Sequence, residues 1–230
     1  MSKSADHAME VHERLLAHYG EPQQKPQRPP LDELVLTILS QNTNDSNSGR
    51  AWETLRSRFP NWKAVYEADV EEVAEAIRVG GLANTKAPRI QGILDHLREE
   101  RGELDMSFLH DMSVDEAREY LLDLPGVGQK TAACVLLFSL HKPAMPVDTH
   151  VHRVSLRLEL VPVKTSAEKA HQALEALLPA EIYYPFHLNM IRHGRTLCTA
   201  RDPQCDACPL SDICPYAQKR SAEHADGESE

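Results

Sequence analysis

Six side chains stand at spacings that suit chemistry better than packing. Cys198, Cys205, Cys208 and Cys214 fall within 17 residues in the pattern Cys-x6-Cys-x2-Cys-x5-Cys, while Cys134 stands apart in an apolar run. Thiolates this close can wrap one compact centre, and four of them complete a 4Fe-4S cluster. Zinc is the competing occupant. It commonly takes two short Cys or Cys/His pairs, whereas here a single Cys-x2-Cys is flanked by wider gaps, so the spacing favours iron-sulfur. Cys134 reads as a small buried hydrophobe.

The other two are Lys130 and Asp148. Lys130 follows Leu124-Pro125-Gly126-Val127-Gly128, and Asp148 comes eighteen residues later within Pro146-Val147-Asp148-Thr149-His150. This hairpin and loop resemble those of the helix-hairpin-helix DNA glycosylases, which implies N-glycosidic chemistry for the pair: breaking that bond builds positive charge on the sugar, which a carboxylate can stabilise. An amine that attacks C1′ forms a Schiff base, and the Schiff base permits β-elimination of the 3′ phosphate. The amine must first lose a proton. A position in the first turn of a helix disfavours the cation, as does desolvation by a bound duplex, while a carboxylate kept ionised at an N-cap works the other way. The pair is therefore expected to become active only with DNA bound. Singly, the two have plainer readings as a solvated lysine and an ordinary cap; the hairpin and the cysteines beside them give the chemical reading its weight.

Helices must position these groups. Apolar residues recur at helical spacing almost throughout, as in Leu31, Leu34, Val35 and Ile38 or Ile90, Ile93, Leu94 and Leu97, with no sustained period of two, so the chain is expected to be all-α with about ten helices. Gly20 closes the first helix, Asp69 caps a later one that ends at Gly80-Gly81, and Ser113 with Glu116 forms a capping box. Glu21 to Pro30 carries four prolines and reads as an extended connector. Leu124 to Gly128 then joins two helices tightly. Its glycines permit positive φ and leave the backbone uncovered, so amides at the start of the second helix can approach a phosphate, whatever the base sequence. The formal charge of −10 excludes a protein coated in basic residues, so location matters more than total. Leu124 to Arg157 holds four cations (Lys130, Lys142, Arg153, Arg157) against Asp148 alone, and Phe186 to Arg201 holds three arginines and no acid. These stretches are the expected anion-facing surface. There is no apolar signal core at the N-terminus and no apolar run long enough to span a bilayer, which reads as a cytoplasmic protein, associated with the nucleoid if bacterial.

LPGVGQKTA and VDTHVHRV resemble the helix-hairpin-helix DNA glycosylase superfamily, and the cysteine spacing is similar to that of its iron-sulfur branch, the endonuclease III family. The resemblance spans about Glu10 to Cys214. It implies two helical domains: a six-helix barrel over 22–133 that contains the hairpin, and a cluster domain from 1–21 with 134–216, with a DNA-binding cleft between them and a disordered tail over 217–230. Lys130 is then the nucleophile and Asp148 its essential partner, one on each wall of the cleft, and the cluster shapes a loop without performing excision. The base must leave the stack and something must fill the gap. Ser40-Gln41-Asn42-Thr43-Asn44-Asp45 resembles the loop that inserts a glutamine, and Gly80 to Ala87 the loop that intercalates a leucine, which assigns Gln41 and Leu82. Gly126, Val127, Gly128, His150, Arg153 and Arg201 complete the expected DNA contacts. Arg192 and Arg195 are within sequence reach of phosphates too. Between Thr199 and Gln204 only Arg201 is cationic, where the family often has more, so a weaker electrostatic grip is expected.

The resemblance thus implies a bifunctional DNA glycosylase/AP lyase of base excision repair, acting as a monomer on damaged double-stranded DNA. Two rivals stand beside it. Monofunctional glycosylases of the adenine-removing type lack the lysine and usually carry a further C-terminal domain; a non-catalytic hairpin protein would need neither Lys130 nor Asp148. The base itself stays open among thymine glycol, dihydrouracil, other oxidised pyrimidines and mismatched uracil or thymine, with oxidised pyrimidines implied by the resemblance.

Overall fold

The computed structural model describes residues 3–24 and 26–227, and among these every regular element is helical. The α-helices run α1 Lys3–Tyr19, α2 Pro30–Leu39, α3 Asp45–Arg58, α4 Trp62–Glu67, α5 Val70–Ala76, α6 Ala83–Arg101, α7 Val114–Asp123, α8 Gln129–Cys134, α9 Thr149–Arg157, α10 Ala167–Leu177, α11 Tyr183–Thr196 and α12 Pro215–Gly227. That is twelve among the described residues, against about ten expected; α4 is only six residues long, and α12 lies in the expected tail.

Two compact units emerge, Pro26–Lys142 and Met1–Lys25 with Pro143–Glu230. In the first, α2 is central. It starts where proline is tolerated, at Pro30, whose missing amide hydrogen would have no helical partner, and it buries Leu31, Leu34, Val35, Ile38 and Leu39 against α3, α6 and α8. In the second unit α11 is central, with Phe186 and Met190 buried between α1, which contributes Ala8, Val11 and Leu15, and α9, which contributes Val151 and Val154.

The seams lie at 25/26 and 142/143, four and nine residues beyond those expected at 21/22 and 133/134. Helix α8 does not end at Cys134: Val135–Ser139 continues as a π turn, with Leu140 N donating to Val135 O at 3.1 Å. Lys142 then donates to the carbonyls of His110 and Met112 at 3.1 and 2.5 Å, so the chain stays with its own unit to that point. Helix also runs over 217–227, within the stretch expected to be disordered. Through Gly227 the chain is helical, anchored by buried Ala217, by Tyr216 beneath the Arg157 guanidinium at 4.5 Å, and by Lys219 paired with Glu159 at 3.0 Å. Residues 228–230 lie outside the described residues.

Terminal signals mostly act as expected. Gly20 adopts φ +82° and its N–H closes α1 on Leu16 O at 2.8 Å. Asp69 occupies the N-cap of α5 without a side-chain capping bond. Ser113 and Glu116 form the full box at the start of α7: Glu116 N donates to Ser113 Oγ at 3.3 Å, and Ser113 N donates to Glu116 Oε2 at 2.8 Å. Those bonds hold the Glu116 carboxyl below its ordinary pKa of 4.5.

Ser113→Ala is expected to lower folding stability by about 1 kcal/mol, read by thermal or denaturant unfolding. A folded-state pKa below the unfolded one means that the Glu116 contribution is complete above the unfolded value and is lost as pH falls through the depressed folded value. The stability difference between the wild type and Glu116→Gln should therefore be present at neutral pH and vanish in acid.

Candidate functional site

In the Pro26–Lys142 unit the hairpin is built as its residues suggest. Helix α7 stops at Leu124, whose extended backbone leads into Pro125; Gly126 takes φ +70°, and Val127 is buried with its N–H donating to Leu124 O at 3.1 Å. Gly128 is the N-cap of α8, with no side chain to satisfy the first amides. Lys130 is therefore in the first helical turn, half-buried, with no hydrogen bond or ion pair for its amine among the described residues. Gly126 is required twice over. Its φ suits glycine, and a Cβ there would lie 2.4 Å from Arg89 Nε.

Arg89 is one of two engaged cations beside the expected site residues that the sequence reading missed. Its guanidinium lies against the hairpin and donates to Gln41 Oε1 at 2.8 Å, while Gln41 Nε2 donates to Thr131 Oγ1 at 3.2 Å. Gln41 is thus seated against the residue that follows Lys130. The second missed residue is Lys86, only 2% exposed, with Nζ donating to Leu39 O at 2.8 Å and Gly80 O at 2.9 Å. Burial pulls its pKa down, with Arg89 adding to the effect. A signal for Lys86 was present: it shares the helical stripe of Ile90, Ile93 and Leu97, all buried. Leu82, at the N-cap of α6, is 54% exposed and holds a left-handed backbone at φ +51°, uncommon for a branched bulky side chain.

The second unit carries Asp148 at the N-cap of α9. A single oxygen, Oδ1, accepts from His150 N at 2.9 Å and from Val151 N at 2.8 Å, and Oδ2 has no hydrogen-bond partner among the described residues. His150 packs its Cβ where a Cβ on Gly194 would come within 2.9 Å, which requires glycine at that point of α11. Arg153 turns inward: its guanidinium donates to Gly194 O at 2.6 Å and to Cys198 O at 3.0 Å. Arg192 is likewise engaged, donating to Tyr19 O at 3.1 Å over the Tyr19 ring. Arg201 is exposed.

All four clustered cysteines line one pocket, together with Val154, Arg157, Leu158, His193, Leu197 and Tyr216. Arg157 donates to Cys198 Sγ at 3.2 Å and to Thr199 O at 2.7 Å, and Leu210 N donates to Cys208 Sγ at 3.4 Å. Burial pushes the Cys208 thiol up to about 11 and raises Cys205 and Cys214 as well. Thiolates in such a pocket need a positive centre, which iron supplies on binding. Four thiols lining one pocket are the all-sulfur donor set that an iron-sulfur cluster takes. Cys134 is buried in α8, in the Pro26–Lys142 unit, as expected.

Residues 35–180 match the model for HhH-GPD superfamily base excision DNA repair proteins, and residues 198–214 match the iron-sulfur binding domain of endonuclease III. Endonuclease III of Thermotoga maritima is 36% identical over 83% of this chain and 85% of its own length. The DNA glycosylase/AP lyase ROS1 of Arabidopsis thaliana is 39% identical over 68% of this chain. The chain spans 64% of another Arabidopsis relative and 12% of ROS1. A trapped endonuclease III–DNA covalent intermediate superposes with a TM-score of 0.81 at 28% identity, covering 96% of this chain and 100% of that one. No helix among the described residues is long and apolar enough to cross a membrane.

Serine at position 198, 205, 208 or 214 is expected to remove most of the bound iron and the visible thiolate-to-iron absorbance. Cys134→Ser should retain both, as measured by metal analysis and absorption spectroscopy.

Proposed function

The chain belongs to the HhH-GPD superfamily of base excision DNA repair proteins, in its iron-sulfur branch, and from that premise we propose that it is a bifunctional DNA glycosylase and AP lyase acting on oxidised pyrimidines in duplex DNA. The observation that carries this reading is Lys130 itself: an amine without an ion-pair partner, in the first turn of a helix whose N-cap is glycine. An excision enzyme that used only water would have no need of an amine there.

The duplex is gripped by its backbone. The uncovered amides of Gln129 and its neighbours, together with the positive end of α8, suit a phosphate oxygen without reading sequence. Leu82, exposed and held in a left-handed turn, and Gln41 fill the space that the extruded nucleotide leaves. As the glycosidic bond lengthens, the carboxylate of Asp148 stabilises the positive charge growing on the sugar; Oδ1 stays on its two amide donors, and Oδ2 is the oxygen available for this work.

Lys130 attacks C1′ as the base departs. The amine gives its lone pair to carbon, the base takes the glycosidic electrons, and loss of a proton from nitrogen leads through ring opening to the protonated imine. Removal of a C2′ proton then expels the 3′ phosphate. The cluster stays outside these steps. It would be held by Cys198, Cys205, Cys208 and Cys214 and would brace their loop, whose first carbonyls accept from Arg153 and Arg157.

Borohydride reduction during reaction on a thymine glycol or dihydrouracil duplex is expected to give a covalent protein–DNA adduct. Lys130→Gln should abolish it, and Asp148→Asn should slow adduct formation by about a hundredfold or more. A wild-type protein that binds such duplexes yet never forms the adduct overturns the lyase assignment, and excision confined to a different base overturns the substrate.

A further inference from the structure

Lys86 has no place in the chemistry, yet it is among the largest fully buried side chains of the protein. An ammonium in such a setting is a costly way to fill space; a methionine would pack similarly without desolvating a charge. What it touches explains the cost. Both carbonyl partners terminate helical segments, Leu39 that of α2 and Gly80 the 3-10 turn Arg78–Gly80. A cation at the C-terminal end of α2 is favoured by the helix dipole and satisfies an orphaned carbonyl.

The anchored carbonyls share a second property. Leu39 lies two residues before Gln41, and Gly80 lies two residues before Leu82. One ammonium therefore fixes the backbone immediately upstream of both side chains. Downstream, each turn passes through the left-handed region, at Asn42 with φ +53° and at Leu82 with φ +51°, conformations that persist only where the surroundings impose them. Gly80 adds a constraint: a Cβ there would come within 3.0 Å of Ala51 Cβ and 3.7 Å of Leu39 O, so the turn at Gly80 packs tightly against α3 and the end of α2. One turn of helix beyond Lys86, Arg89 holds the Gln41 side chain itself.

We propose that Lys86 is a positioning residue that locks the Gln41 and Leu82 turns into a single wedge, so that the two side chains engage the duplex together. This rests on the reading above that both side chains enter the stack.

The test uses the full-length, cluster-loaded protein and a lesion duplex with 2-aminopurine beside the lesion, whose fluorescence reports unstacking. In the wild type, the losses of unstacking amplitude in Gln41→Ala and Leu82→Ala should be non-additive, with the double variant departing at least about threefold from the product of the singles. Lys86→Met should make those losses additive and slow excision from paired duplex by about tenfold. Adduct formation at a pre-formed abasic site, where no base is extruded, should change less than twofold, and Lys86→Arg, which keeps a cation able to donate to both carbonyls, should restore part of the coupling. If coupling persists unchanged in Lys86→Met, the lock is refuted. Should that variant fail to fold, additivity of the two alanine variants in the wild-type background is sufficient to refute it. If neither alanine variant alters unstacking, the wedge reading beneath it fails instead.

Discussion

A helix that begins on glycine keeps its first amides bare, and the hairpin before α8 is arranged around that condition. Any side chain on Gly126 would strike Arg89, and a capping residue at Gly128 would occupy the donors a phosphate is to use. Buried Val127 supplies the apolar peg that lets the turn stay this thin. In the function proposed above, a grip made by backbone would be indifferent to base identity, and selection of damage would fall to groups that test whether a nucleotide will leave the stack. Gln41, seated on Thr131 and Arg89, is the candidate for that task, and it reaches the hairpin through side chains of the same unit.

In the other unit the arginines do structural work that their charge disguises. Arg153 and Arg157 spend their donors on the carbonyls of Gly194, Cys198, Thr199 and Ala200, and Arg157 also reaches a cluster thiol. A guanidinium is suited to this, since its planar fork satisfies several acceptors at once. The backbone of the loop that contains the cysteines is thereby held by side chains of α9. The exposed cationic surface is smaller than the arginine content suggests, in keeping with a chain of net charge −10.

Much of this was legible in residue order. Caps and glycines announce themselves locally, so the ends of α1 and α7, the hairpin and the capping role of Asp148 could all be read from a few neighbouring residues. The four cysteines were legible because their spacing has few other uses. Lys86 was not, since a lysine after a turn is ordinarily solvated and only its register with Ile90, Ile93 and Leu97 hinted otherwise. Arg153 and Arg192 were read as facing phosphates because their carbonyl partners, Cys198 and Tyr19, lie far away in sequence or across a turn. The helix over the expected tail was missed for a similar reason: its polar composition hides contacts to Arg157 and Glu159 that only the fold supplies.

The π turn Val135–Ser139 is in effect one residue inserted into a helix. Lys130 stands at one end of that helical stretch and the Lys142 anchor on His110 and Met112 at the other. Each residue of helix rotates the chain by about 100°. Since the π turn takes up its extra residue as a local bulge, the windings on either side are spared that rotation, and Lys130 and the Lys142 anchor keep the facing they would have in an uninterrupted helix.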